Sequence, residues 1–203
     1  SYLQADGAVK KISSYITRKV ADKLTSLFKN DRTAFEEKWN DIKVIIEYGM
    51  LSEEKFFDKS DKFALYPTVD DEYLTFEELE AKIKPIQTDK DDKLIVLYAA
   101  DKKAQHSYIE AAKEKGYEVL LLDSPIVSHL LQKLETKKEN VQFTRVDADH
   151  IDNLIKKDED VPSKLSEKEQ EMLKPIFEKF AKKKNYSIIF ESLSEKDQPV
   201  MIT

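Results

Sequence analysis

Residues 93–99, Lys-Leu-Ile-Val-Leu-Tyr-Ala, form an uninterrupted apolar run of strand length, and the stretch that follows them decides the fold. Residues 118–122 (EVLLL) repeat the pattern, and residues 141–146 (VQFTRV) give a third run that alternates. A continuous apolar run suits a strand buried on both faces, while alternation suits one nearer an edge. Between the runs lie two helical segments. The first carries Tyr108, Ile109 and Ala112, with Asp101 placed to cap it and Gly116 placed to end it in a left-handed cap. The second opens on Ser124-Pro125, a capping residue followed by proline at the first helical position, and carries Val127, Leu130, Leu131 and Leu134. Strand, helix, strand, helix, strand predicts a small α/β layer, with right-handed crossovers where the strands are parallel.

Upstream, Thr75-Phe76-Glu77-Glu78 has capping-box spacing, and Phe76, Leu79 and Ile83 face one way until Pro85 stops the helix. Residues 1–62 read as helical. Val9, Ile12, Ile16, Val20, Leu24 and Leu27 recur at steps of three and four and so share one face, which must pack on something. Asn30-Asp31 breaks that pattern and can cap a second helix carrying Phe35, Trp39, Ile42, Ile45 and Ile46, which Gly49 can end. Ser52 can cap a third, through Phe56 and Phe57 toward Phe63. Downstream, Asp149 can cap a short helix over 150–156, and the charged, proline-containing stretch 156–164 is the best linker candidate. Ser166 to Glu169 forms a second capping box, opening a helix with Met172, Leu173, Ile176, Phe177 and Phe180 in which Pro175 predicts a kink or a later start. Strands are expected at 186–190 and 199–202. The division is a helical connector (1–62), a small three-layer αβα subdomain (63–157), a linker (158–164) and the opening of a further domain (165–203), too short to bury a core alone.

Of the 203 residues, 36% are charged, 3 are Gly and none is Cys. The lack of Cys removes disulfides, thiolate nucleophiles and thiolate-bound metals. Gly7, Gly49 and Gly116 stand alone, so no glycine-rich phosphate loop can be written. A net charge of −6, with arginine only at 18, 32 and 145, argues against nucleic acid as a partner. No stretch is long and apolar enough to span a membrane, and no signal-peptide pattern opens the chain; a cytoplasmic location is expected. The chain begins at Ser1, without Met, on what reads as a helix approach, so we expect a piece of something larger.

No metal site is expected. The densest acid cluster, Asp147 to Asp152 with His150, reads as a strand end running into a capped helix, and Asp89 to Asp92 as a solvated turn. His106, His129 and His150 sit in no catalytic motif, and Lys182 to Lys184 read as cations at a helix C-terminus. The aromatics Trp39, Phe56, Phe57, Phe63 and Tyr66 have two readings. They form an exposed apolar patch for an unfolded chain or a partner, with Trp39, Phe56, Phe57 and Tyr66 as contact residues, or they join the connector to the α/β layer. The joint is preferred for most of them.

Three strings carry a resemblance: Ser1-Tyr2-Leu3-Gln4 leading into a long helix, Ile46 to Leu51 (IEYGML), and Tyr108 to Pro125 (YIEAAKEKGYEVLLLDSP). Through them the chain resembles the heat-shock protein 90 chaperones of the bacterial HtpG type, over the later middle domain (about 1–161) and the start of an α+β C-terminal domain. Two strings depart from the family pattern, Lys62 to Thr68 (KFALYPT) and Ile83 to Thr88 (IKPIQT). The resemblance implies an ATP-dependent chaperone whose ATP and Mg are bound by a separate N-terminal domain, with no cofactor on this segment. It implies client proteins, that N-terminal domain and a second protomer as partners. It implies that Gln4 assists on the γ-phosphate side from the middle-domain catalytic loop, whose arginine would immediately precede Ser1. Two alternatives stand beside it: a stand-alone interaction module without ATP coupling, and a small α/β enzyme.

Overall fold

The computed structural model describes residues 2–156 and 165–180, together with Ile188 and Phe190. In chain order the elements are α1 (Tyr2–Asn30), α2 (Arg32–Glu37), α3 (Trp39–Ser52), α4 (Glu54–Ser60), β1 (Tyr66–Pro67), β2 (Tyr73–Leu74), α5 (Phe76–Ile83), β3 (Leu94–Ala99), α6 (His106–Glu114), β4 (Val119–Leu121), α7 (Val127–Lys137), β5 (Val141–Arg145), α8 (Ile151–Leu154) and α9 (Glu167–Phe180). Residues 1–156 and 157–203 make two compact units.

In the first unit β3 lies between β4 and β5 and is parallel to both, with Leu97 opposite Val119 and Val96 opposite Phe143. The continuous apolar run of β3 resolves by its period of two into two faces. Ile95, Leu97 and Ala99 join Val119, Ile109 and Ala112 of α6 and Ile151 and Leu154 of α8 in one core. Leu94 and Val96 join Leu120, and Leu130, Leu131 and Leu134 of α7, in another. This is the expected αβα sandwich. The second core continues without a break through Leu79, Phe63, Phe57, Phe56, Trp39 and Phe35 to Ala21. The boundary drawn at 62/63 therefore separates two kinds of secondary structure that share one core. β5 is half exposed at a sheet edge, and on its outer side the Phe143 N–H donates to Glu135 Oε1 of α7 (2.7 Å).

Local chemistry sets most element ends. Thr75 Oγ1 accepts from the Glu78 N–H while Glu78 Oε2 accepts from the Thr75 N–H (2.8 Å), a complete capping box on α5. Asp31 caps α2 by accepting from the Ala34 N–H. Gly116, at φ +76°, closes α6 as the sequence predicts: its N–H reaches Lys113 O and the Tyr117 N–H reaches Ala112 O.

Other ends differ from expectation. Gly49 does not end α3, which runs on to Ser52. A Cβ at Gly49 would lie 2.9 Å from the Phe56 ring, so this glycine serves helix–helix approach. Ser52 caps nothing: it is the last residue of α3, its hydroxyl donates to Tyr48 O, and Glu53 precedes α4. The second expected helix is two, divided at Lys38. Asp101 caps a turn through the N–H groups of Lys103 and Ala104, and α6 starts after Gln105. α7 starts after Ile126, one turn beyond Ser124. At α8 the cap is His150, which accepts from the Asp152 N–H, in place of Asp149.

In the second unit α9 contains Pro175. Glu169 Oε2 accepts from both the N–H and the hydroxyl of Ser166 (2.8 and 2.7 Å), and the Phe177 and Phe190 rings meet edge to face. The linker expected at 158–164, Lys182 to Lys184 and the strand expected at 199–202 lie outside the described residues, as does most of the one expected at 186–190.

Candidate functional site

The feature of the first unit that bears on function is the joint between helices α1–α4 and the α/β layer. Its apolar part follows from aromatic packing: Phe28 meets Phe35 edge to face, Phe35 meets Trp39, Phe56 meets Phe63 and Tyr66 meets Phe76, with centroids 5.6–6.2 Å apart. Its polar part is a set of cations reaching across. Arg32, at the start of α2, grips both carboxylate oxygens of Glu78 on α5, one at 2.7 Å, and also donates to Tyr73 O (2.8 Å) and Glu36 (2.7 Å). Its guanidinium stacks over the Phe28 ring. Arg32 first, helped by Thr75, pulls the Glu78 carboxyl down to about 2, and Glu78 in turn drives the guanidinium pKa up.

From the other side α7 and the residue that caps its C-terminus supply three lysines. Lys133 donates to Met50 O (2.7 Å) at the C-terminal end of α3, where a cation also meets the negative end of the helix dipole. Lys137 pairs with Glu54 (2.8 Å), and Lys138 pairs with Asp61 (3.2 Å) and lies over the Phe76 ring. Lys43 on α3 pairs with Asp123 beyond β4 (2.5 Å), and Lys59 on α4 pairs with Asp22 on α1. Each exposed pair contributes little alone; Lys59–Asp22 ties two connector helices together, and the other pairs join the shared core in holding connector on layer.

The structure sorts the candidate residues. Trp39, Phe56, Phe57 and Tyr66 are all buried, between 2% and 4% exposed. A contact surface for clients or partners needs exposed rings, and these form the core of the joint, so the contact assignment is corrected. Gln4 falls in the first turns of α1, and its side chain lies outside the described residues. Among the described residues no group of three or more His, Asp or Glu is placed to hold a metal ion, and no helix is long and apolar enough to cross a membrane.

Exposed apolar surface lies elsewhere. Val9, Ile12, Ile16 and Val20 form a stripe on α1 that this unit leaves uncovered, with Val9 63% and Ile12 60% exposed. Ile45 and Tyr48 on α3 are exposed as well, as are Met172 and Ile176 on α9. The residues that sequence reasoning passed over are Arg32 and Glu47. Arg32 carried a signal, being one of three arginines. Glu47 carried none, because its burial depends on residues far along the chain.

No family model matches the chain. Among curated proteins, the chaperone protein HtpG of Bacteroides fragilis (strain YCH46) is 50% identical over all of the chain and 30% of its own length. The HtpG of Porphyromonas gingivalis (strain ATCC 33277) is 46% identical over the same shares. The chain thus spans about 30% of the length of these relatives. Among solved structures, the middle domain of a Plasmodium falciparum heat shock protein superposes with a TM-score of 0.55 at 15% identity, over 71% of this chain and 60% of that one; it shows the fold. An identity of 46–50% over the whole chain, on a fold shared with such a middle domain, places this chain in the HtpG branch of the heat-shock protein 90 chaperone family.

Proposed function

We propose that the chain is the later middle-domain segment and the start of the C-terminal domain of an ATP-dependent chaperone, and that it couples nucleotide state to the handling of client proteins. The observation that carries this reading is the match, along the whole chain, to proteins named chaperone HtpG. The joint supports the mechanical part: a connector sharing its core with the α/β layer suits a body that rotates as one piece. In this reading ATP and Mg bind a separate N-terminal domain. Unfolded or partly folded proteins are the clients, a second protomer completes the working dimer, and the protein acts in the cytoplasm. Gln4 assists beside the γ-phosphate by hydrogen bonding.

The test uses the full-length parent carrying Gln4→Ala. Loss of one hydrogen bond felt in the transition state should slow ATP turnover about tenfold and leave ATP affinity unchanged. Turnover equal to wild type removes Gln4 from the site. The chain by itself should hydrolyse no ATP, and hydrolysis above background would refute the assignment of the chemistry to another domain.

A further inference from the structure

A small cavity of about 20 Å³ lies where α3 meets β1 and β4. Its walls combine apolar side chains, Trp39 and Met50 among them, with the polar side chains of Lys43, Glu47, Tyr66, Asp123 and Ser124. Glu47 is 8% exposed and Tyr66 3%. Glu47 Oε2 and Tyr66 Oη are shut off from solvent, and no protein group bonds either of them. The Ser124 hydroxyl also lies beside the Glu47 carboxyl and favours its charged form. Buried polar atoms are seldom left unpaired, because the cost of desolvation then goes unreturned. A cavity needs roughly 10–15 Å³ to admit one water molecule, and the water needs at least two polar partners. This one meets both conditions and is too small for a larger guest.

We propose that this cavity is a binding site for a single structural water that bridges Glu47 of α3 to Tyr66 of β1, so that connector and α/β layer are pinned by a carboxyl–water–phenol chain through the joint. Tyr66 is the fixed donor. Burial pushes its phenol pKa up, and the Asp61 and Glu47 carboxylates push it further, so its proton stays and points at the water. The water then donates to Glu47 Oε2, or accepts from it once the carboxyl is protonated. The bridge survives both states, but the charged one is costly in so enclosed a place.

The ionisable groups facing the bridge come from every element around it: Lys43 on α3, Asp123 beyond β4, Asp61 beyond α4 and Tyr66 on β1. Burial dominates at Glu47 and raises its pKa, Ser124 and Lys43 oppose that, and Asp123 adds to it. A carboxyl raised in the folded state holds its proton better there than in the unfolded chain. Its stabilising contribution is then complete below the ordinary value of 4.5 and is lost as pH climbs through the folded value.

The tests are structural and thermodynamic, on the whole chain. A crystal structure grown near pH 5 should show one ordered water within hydrogen-bond distance of both oxygens; a dry cavity, or a direct Glu47–Tyr66 bond, would overturn the proposal. Urea unfolding of Glu47→Gln, Tyr66→Phe and the double variant should reveal coupling of roughly three- to tenfold in the unfolding constant, and additive effects would overturn it. The wild-type midpoint should fall more steeply than that of Glu47→Gln as pH rises above about 4.5. Equal slopes would overturn the assignment of Glu47 as a buried carboxyl that holds its proton beside the water.

Discussion

The two halves of α1 have the same apolar period and opposite fates. Toward its C-terminus Ala21 is buried, Leu24 and Phe28 pack on the core, and Asp22 is held by Lys59 of α4. Toward its N-terminus Val9, Ile12 and Ile16 stand exposed on one face. Periodicity reports that a helix has an apolar side; it does not report what covers that side. Covering requires bulk arriving from elsewhere, and here the Phe35 ring meets Phe28 and α4 reaches Asp22, both in the C-terminal half.

The largest effect should come from removing that bulk. Phe35→Ala, deleting a ring packed against both Phe28 and Trp39, should cost about 3–5 kcal/mol in urea unfolding. A loss under about 1 kcal/mol would erase the contrast between the halves. Next comes Glu78→Gln, which weakens the Arg32 grip and the α5 cap together. The pair is partly exposed and screened by solvent, so about 1 kcal/mol at neutral pH is expected. A carboxyl lowered to about 2 stabilises fully above its ordinary value of 4.5 and less as pH falls toward 2. The wild-type advantage over Glu78→Gln should therefore shrink through that window, and an advantage flat in pH would show that the ion pair adds nothing. The smallest effect belongs to the uncovered stripe. Ile12→Ser should change the stability of this chain by no more than about 0.5 kcal/mol, and a larger loss would mean that the stripe is packed after all.

What was legible in the sequence was whatever neighbours in the chain decide. The Thr75–Glu78 box, the Gly116 cap, the Asp31 cap and the strand–helix alternation around 93–146 all depend on residues within a few positions of one another. The αβα layering followed from a continuous apolar run, because only a strand covered on both faces can be apolar throughout. Gly49 was misread for the opposite reason. A glycine near a helix end usually stops the helix, and only the Phe56 ring, packed against it from the next helix, shows why α3 runs past it. The aromatic set was half legible: the joint reading fits four buried rings, while the contact reading needed exposure that spacing cannot report. Glu47 was illegible, since the side chains that bury it come from β1 and from beyond β4.

The carboxylate that Glu135 holds against the Phe143 amide has a consequence for the company this protein keeps. A sheet edge is a template: its free N–H and C=O groups invite an extended chain to add itself as a further strand. An open edge would leave such a chain a place to pair. On the outer side of β5 an incoming strand would have to displace a charged acceptor already seated on the amide it needs. That exchange raises the cost of adding a strand at this amide of the β5 edge.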